Sequence, residues 1–176
     1  MQKRFNFVYC SFFTALFIGA LFTNIIYAQL SSLKDLKSVT QHVNEINKGV
    51  DSGDPWTVKN IITPDELEKE LNSKNKPVVL QVGFGVLYNQ GHIKGAIYSG
   101  PASREEGIKK LKSEVKKIPH SKEVVIYCGC CGWADCPNIH PAFTTLKKMG
   151  FDNLKLLFLP NNFTKDWVNK GLPVEK

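Results

Sequence analysis

Internal repeats and low-complexity tracts are absent from this chain of 176 residues, which excludes a solenoid or repeat array. Nowhere are basic residues interleaved with aromatics as a single-strand nucleic-acid groove requires. The net charge is +7, but much of it is lysine at helical spacing in 109–117, a solvated helix face. No nucleic acid is therefore expected as a partner, while an anionic small substrate is compatible with the charge. Cysteine is sparse: five residues are too few for a disulfide-dense scaffold. Charge is missing altogether from Phe5 to Ile26, and this gap follows the pair Lys3-Arg4. Ala28 supplies the small residue that a signal-peptide cut needs directly before it, although Ile26, two residues earlier, is larger than usual. Uncleaved, the run is long enough to span a bilayer. Residues 1–28 thus read as a signal peptide or as a membrane anchor through residues 5–26. Either places the remainder in an exported, periplasmic or extracytoplasmic setting where disulfides are permitted.

The rest has the composition of one globular domain, with 43% hydrophobic and 22% charged residues. Residues 29–59 form a helical or linker segment. Leu33, Leu36, Val39, Val43 and Ile46 mark one helix face, and Asp51-Ser52-Gly53-Asp54-Pro55 is turn material. Residues 60–176 carry the periodic pattern. Thr63-Pro64-Asp65-Glu66 is a capped helix start, followed by a buried strand at Pro77–Gly83 and a second strand entered by His92–Tyr98. Ser103-Arg104-Glu105-Glu106 repeats the capping pattern ahead of a helix holding Ile108, Leu111, Val115 and Ile118. Val124–Tyr127 is a third strand, 139–149 a helix ended by Gly150, Leu154–Leu159 a fourth strand, and Asn162-Phe163-Thr164 opens a last short helix. Alternating strands and helices predict an α/β domain of three layers, with a mostly parallel sheet and helices on both faces.

The chemistry gathers in Tyr127-Cys128-Gly129-Cys130-Cys131-Gly132-Trp133-Ala134-Asp135-Cys136-Pro137-Asn138-Ile139-His140. Cys128 is the first residue after a buried strand, the end at which open α/β sheets bind ligands. Gly129 and Gly132 allow the loop to curl with its amide hydrogens inward, and the following helix adds its positive end. Such a setting lowers a thiol pKa and suits a nucleophilic cysteine. Other readings stay open. Cys128 and Cys131 have the spacing of a thiol redox pair, and Cys130–Cys136 is a second candidate pair. Cys128, Cys131, Cys136 and His140 would make a thiolate-rich set for Zn or Cu, without the spacing of common zinc fingers. His92 reads as a turn residue bonded to backbone, and Trp133 as a lid on the loop or a recognition residue.

Taken in order, these segments resemble the rhodanese-like family. The residues that carry the likeness are the strand Val78–Val82, Gly91-His92-Ile93-Lys94-Gly95-Ala96, the strand Val124–Cys128, Leu146 through Gly150-Phe151, and Trp167 with Gly171-Leu172-Pro173-Val174. The resemblance covers about residues 60–175. It implies a sulfurtransferase that carries sulfane sulfur as a persulfide on Cys128 and needs no cofactor. Gly129, Cys130, Cys131, Gly132 and Trp133 would cradle the substrate, a small sulfur donor and then a thiol or anion acceptor. Cys130, Cys131 or Cys136 would resolve the persulfide or act in redox. The sequence departs from the family at Gln81 and Gly83, where Asp and Arg are common, and at Trp133, where the family loop often has a cationic or hydroxyl side chain.

Overall fold

The computed structural model describes residues 33, 34 and 36–176. The expected signal or anchor at 1–28 lies outside these residues. Among the described residues no helix is long and apolar enough to cross a membrane. The chain divides into two compact units, 1–45 and 46–176. In the first, the described residues are helical, as the spacing of Leu33, Leu36, Val39 and Val43 predicts.

The second unit is built on a five-stranded sheet in the order β1-β6-β5-β2-β4, every neighbouring pair parallel. Its strands are β1 (Ile61–Ile62), β2 (Val78–Gln81), β4 (Ile97–Tyr98), β5 (Val124–Tyr127) and β6 (Leu154–Leu157). A separate antiparallel pair joins β3 (His92–Ile93) to β7 (Val174–Glu175). The helices are α1 (Pro64–Leu71), α2 (Gly85–Gln90), α3 (Glu105–Val115), α4 (Ile139–Lys148) and α5 (Phe163–Asp166). All four residues of β5 are buried, which is why Val-Val-Ile-Tyr reads as a continuous apolar run and not as an alternation.

Alternate side chains of each strand enter different cores. Leu80, Val124 and Ile126 face one core with Leu111 and Val115 of α3 and Ile139, Ala142, Phe143 and Leu146 of α4. Val79, Val125 and Tyr127 face the other with Leu67 of α1 and Trp167. The three-layer α/β architecture is thus as the sequence predicts. Trp56 joins the first core and donates from its indole nitrogen to Gly49 O at 2.9 Å, so residues ahead of 60 also belong to this unit.

Local signals fare unevenly. Thr63 caps α1 as expected: Thr63 N donates to Glu66 Oε2 at 2.8 Å, and Glu66 N donates to Thr63 Oγ1 at 3.4 Å. The second expected capping box does not form. The helix starts at Glu105, so Arg104 and not Ser103 is the N-cap of α3 and makes no side-chain cap bond, while Ser103 N donates to Asn138 Oδ1 at 2.8 Å. The expected strand at His92–Tyr98 is split in two. Gly95, at φ +80°, turns the chain so that His92–Ile93 pairs with the C-terminus and Ile97–Tyr98 joins the main sheet.

The central position of β5 sets a quantitative expectation. Ile126→Ala should destabilise the domain by about 2–5 kcal/mol through lost burial and a cavity, whereas Thr63→Ala should cost only about 1 kcal/mol through the lost cap. Denaturant unfolding under reducing conditions checks both. Equal losses would mean that β5 does not anchor the core.

Candidate thiol site

β5 ends at Tyr127, and Cys128 continues its alternation with the side chain in the α4-side core and only 4% exposed. The backbone of Cys128 is held by a side chain: Gln81 Nε2 donates to Cys128 O at 3.0 Å. Gly83 passes so close that a Cβ there would lie 2.6 Å from Cys128 O and 3.2 Å from Cys128 Sγ. Gln81 and Gly83, the positions that depart from the family pattern, therefore make a close backbone clamp on the cysteine.

The chain then turns at Gly129, whose φ of +78° is natural only for glycine. Gly132 lies against the next loop, where a Cβ would approach Pro160 O to 2.7 Å. Trp133 opens a short 3-10 turn through Asp135 and packs edge-on against Trp56 at 5.8 Å and Phe158 at 5.2 Å between ring centroids. It is a wedge between the loop and the core. This folding brings four sulfurs together. The Sγ atoms of Cys128, Cys130, Cys131 and Cys136 all lie within 4.8 Å of one another, and all four are free thiols. The short contacts are Cys128–Cys130 at 3.0 Å and Cys130–Cys131 at 3.2 Å. The redox pairs expected from spacing, Cys128–Cys131 and Cys130–Cys136, are not these shortest contacts.

His140 is not part of the group. It is exposed on α4 with its ring 5.7 Å from that of Trp56, and Cys130 stands with the other thiols instead. One helical turn carries His140 away because α4 begins only at Ile139, too late for Cys136 and His140 to share a face. His92 stacks on Tyr88 at 3.7 Å, bonds Tyr88 O through Nδ1 at 3.0 Å, and meets Glu175 through Nε2 at 3.3 Å, the structural role expected of it.

Asn138 is the residue that sequence reasoning missed. It is fully buried and donates from Nδ2 to Cys128 Sγ at 3.2 Å and to Cys130 Sγ at 3.9 Å, while its Oδ1 accepts from Ser103 N. An amide directly before a helix looks like an ordinary cap. Only the fold reveals that it makes no cap bond of its own helix and points at sulfur.

Protonation does not follow the expectation of a lowered thiol at Cys128. The Cys128 thiol is pushed far up because it donates to Cys130 and Cys136 and because it is buried. Cys131 is raised to about 11, chiefly by burial. The negative charge belongs to Cys136, lowered to about 4 by hydrogen bonds from Cys128 and Cys130 and from the backbone N–H groups of Asn138 and Ile139 at the start of α4. Cys136 also lines an open cavity of about 410 Å³ with Trp133, Ile139 and His140.

Fold and site together define an α/β domain that presents a buried cysteine and a thiol-rich loop at the carboxyl end of its central strand. The rhodanese-like domain family matches residues 63–159, more than half the chain, and the protein belongs to that family. Among solved structures, a Lactobacillus plantarum protein is similar at 20% identity and a TM-score of 0.52, covering 81% of this chain and 98% of that one. The BH2092 protein of Bacillus halodurans is similar at 19% identity and a TM-score of 0.52, covering 67% of this chain and 77% of that one. The rhodanese-like domain of the Anabaena sp. Alr3790 protein shares 21% identity at a TM-score of 0.49, over 66% of this chain and 78% of that one. At these identities the first two speak for the fold alone. No curated protein matches the chain.

The charge distribution predicts a selective alkylation pattern. With limiting iodoacetamide at pH 6, Cys136 should react first because of its thiolate character, and Cys128 last because it is protonated and buried. Reactivity of Cys136 should fall only as the pH drops through about 4. Peptide mapping checks the order, and first labelling of Cys128 would refute it.

Proposed function

We propose that this domain uses the rhodanese scaffold to hold a thiolate metal site for Zn²⁺ or Cu(I), with Cys128, Cys130, Cys131 and Cys136 as the ligands. The observation that carries this reading is the mutual approach of four sulfurs to within 4.8 Å on one loop. Tetrahedral Zn–S bonds of about 2.3 Å set sulfurs about 3.8 Å apart. The thiols bracket that value, with 3.0 Å and 3.2 Å for the short contacts. Soft thiolates with no carboxylate among them select Zn²⁺ or Cu(I) over Mg²⁺ or Ca²⁺. Asn138 suits the role of an outer partner, because an N–H donated to a ligand sulfur orients it and offsets its charge.

The four sulfurs stand close together without a metal, and Cys128 and Cys131 are protonated. Binding must displace protons from the raised thiols Cys128 and Cys131. Affinity therefore falls as the pH falls.

A second reading keeps the family's sulfur chemistry, and it rests on Cys128 standing at the strand end beside a cavity of about 240 Å³. In it, the Cys128 thiolate attacks the outer sulfur of a donor, the sulfur–donor bond breaks, and the donor leaves with the bonding pair. An acceptor thiol or anion later removes that sulfur. The raised Cys128 thiol weighs against this reading, because the attacking form is the thiolate.

Anaerobic reduction followed by metal titration and native mass spectrometry separates the two. The metal reading expects one Zn²⁺ or Cu(I) per chain and a tetrahedral thiolate spectrum on Co²⁺ substitution. Cys136→Ser should abolish tight binding, and Asn138→Ala should weaken it by about 10–100-fold. Fully reduced protein that takes up no metal, yet gains one sulfur atom on Cys128 from a sulfane donor, would establish the second reading in its place.

A further inference from the structure

The end of β5 opposite Cys128 carries a second group of titratable side chains. Glu123 is the residue directly ahead of β5, and its carbonyl accepts from Val78 N at 2.9 Å at the foot of β2. Glu70 stands in the last turn of α1. Both are half-buried and line an open cavity of about 490 Å³ with Asn75, Lys122 and Asn153. The two carboxyl groups are hydrogen-bonded to each other. A carboxylate can only accept, so that bond requires a proton on one of them. Oε2 of Glu70 is buried and has no hydrogen-bond donor among the described residues.

The surroundings favour that proton. Burial of Glu70 weighs most, followed by the bond to Glu123 and its negative charge. Glu66, one turn back on α1, adds a further negative charge, and Lys155 of β6 opposes them. Together they raise the Glu70 carboxyl to about 7. When the proton is lost, two negative charges face each other across the contact between α1 and the start of β5.

We propose that Glu70 and Glu123 hold one proton between them, and that this proton is a pH-sensitive brace joining the end of α1 to the foot of β5. With the proton kept, an O–H···O bond closes the joint. With the proton given up to water, only that O–H bond is broken, and the two carboxylates left behind repel and loosen the joint. An unfolded glutamate keeps its proton only to about 4.5, whereas the folded chain keeps this one to about 7. The stability the brace contributes is therefore complete below about pH 4.5 and is lost as the pH rises through about 7. The inference rests on neither reading of the thiols, which lie at the other end of β5.

Denaturant unfolding of the full chain under reducing conditions, repeated from pH 5 to pH 9, tests it. Glu70→Gln keeps a donor toward Glu123 at every pH. It should match the unaltered protein at pH 5 and raise the folding constant at pH 8.5 by about tenfold, one unit of the shift surviving the solvent screening of a half-buried pair. Glu123→Gln should act in the same direction, and the double variant should gain no more than either single one, because one proton serves both groups. A ¹³C-carboxyl titration of the unaltered protein should show a glutamate that titrates near pH 7. The proposal is overturned if the difference between Glu70→Gln and the unaltered protein is the same at all pH values, if the two single gains add in full, or if no glutamate carboxyl titrates between about pH 6 and pH 8. Should either variant fail to fold, the carboxyl titration of the unaltered protein decides.

Discussion

The thiol loop depends on how β2 and β5 part company beyond their last paired residues. The strands are in register to Gln81 and Tyr127, and Val82 N still donates to Tyr127 O at 2.8 Å. The next acceptor, Cys128 O, would have no strand partner. The Gln81 side chain supplies the missing donor from within the sheet, and Gly83 makes the approach sterically tolerable. A buried carbonyl left unpaired would be costly, and this one amide pairs it where the chain leaves the sheet at Cys128. The pairing also holds the cysteine backbone rigid while its sulfur turns toward the loop.

Charge in the loop is governed by the same economy of donors. Four sulfurs crowd one small volume, and like charges at such separations repel strongly away from water. The arrangement resolves this by keeping Cys128 and Cys131 protonated and concentrating negative charge on Cys136. Cys136 is the sulfur that meets backbone N–H groups at the head of α4, where the helix field favours an anion. Protonated neighbours then act as donors to the charged one. A cation among the sulfurs would make several thiolates compatible, and the loop from Tyr127 to Ile139 carries no lysine or arginine to supply one.

Much of this was legible in the sequence. Continuous apolar runs identified the buried strands, and alternation with helices gave the three-layer α/β architecture. The tight spacing of Cys128, Cys130, Cys131 and Cys136 identified the loop itself. Two-residue strands such as β1 and β7 carry too little pattern to be seen, and their pairing is set by distant partners, Leu156 and Leu157 for β1 and His92 and Ile93 for β7. The Ser103 cap was locally well formed, but α3 starts at Glu105 and Ser103 N donates to Asn138, a residue 35 positions away. His140 looked like a ligand from its spacing, and the start of α4 at Ile139, beyond Cys136, removes it. The roles of Gln81 and Asn138 were illegible for a common reason. Each is a neutral amide whose partner is fixed by tertiary contact, and nothing in the local sequence marks it.

Asn138 also explains how a loop with so little regular structure can hold a defined set of sulfurs. Its oxygen grips the backbone ahead of α3, its nitrogen reaches two sulfurs, and the next residue, Ile139, is packed in the core under α4. Gly132 rests on Pro160, and the Asp166 carboxylate pins that neighbouring turn by accepting from Asn161 N at 2.7 Å and Asn162 N at 3.0 Å. Trp133 is wedged among Trp56 and Phe158. The loop is thus fastened to β2, to the approach to α3, to the turn before α5 and to the core. Groups held this way have already lost the freedom that a ligand would otherwise have to remove, which raises affinity without any added contact. The folding energy of the whole domain is thereby coupled to the geometry of four thiols, and a change at an anchor such as Gln81 or Asn138 acts on the sulfurs through the backbone it holds.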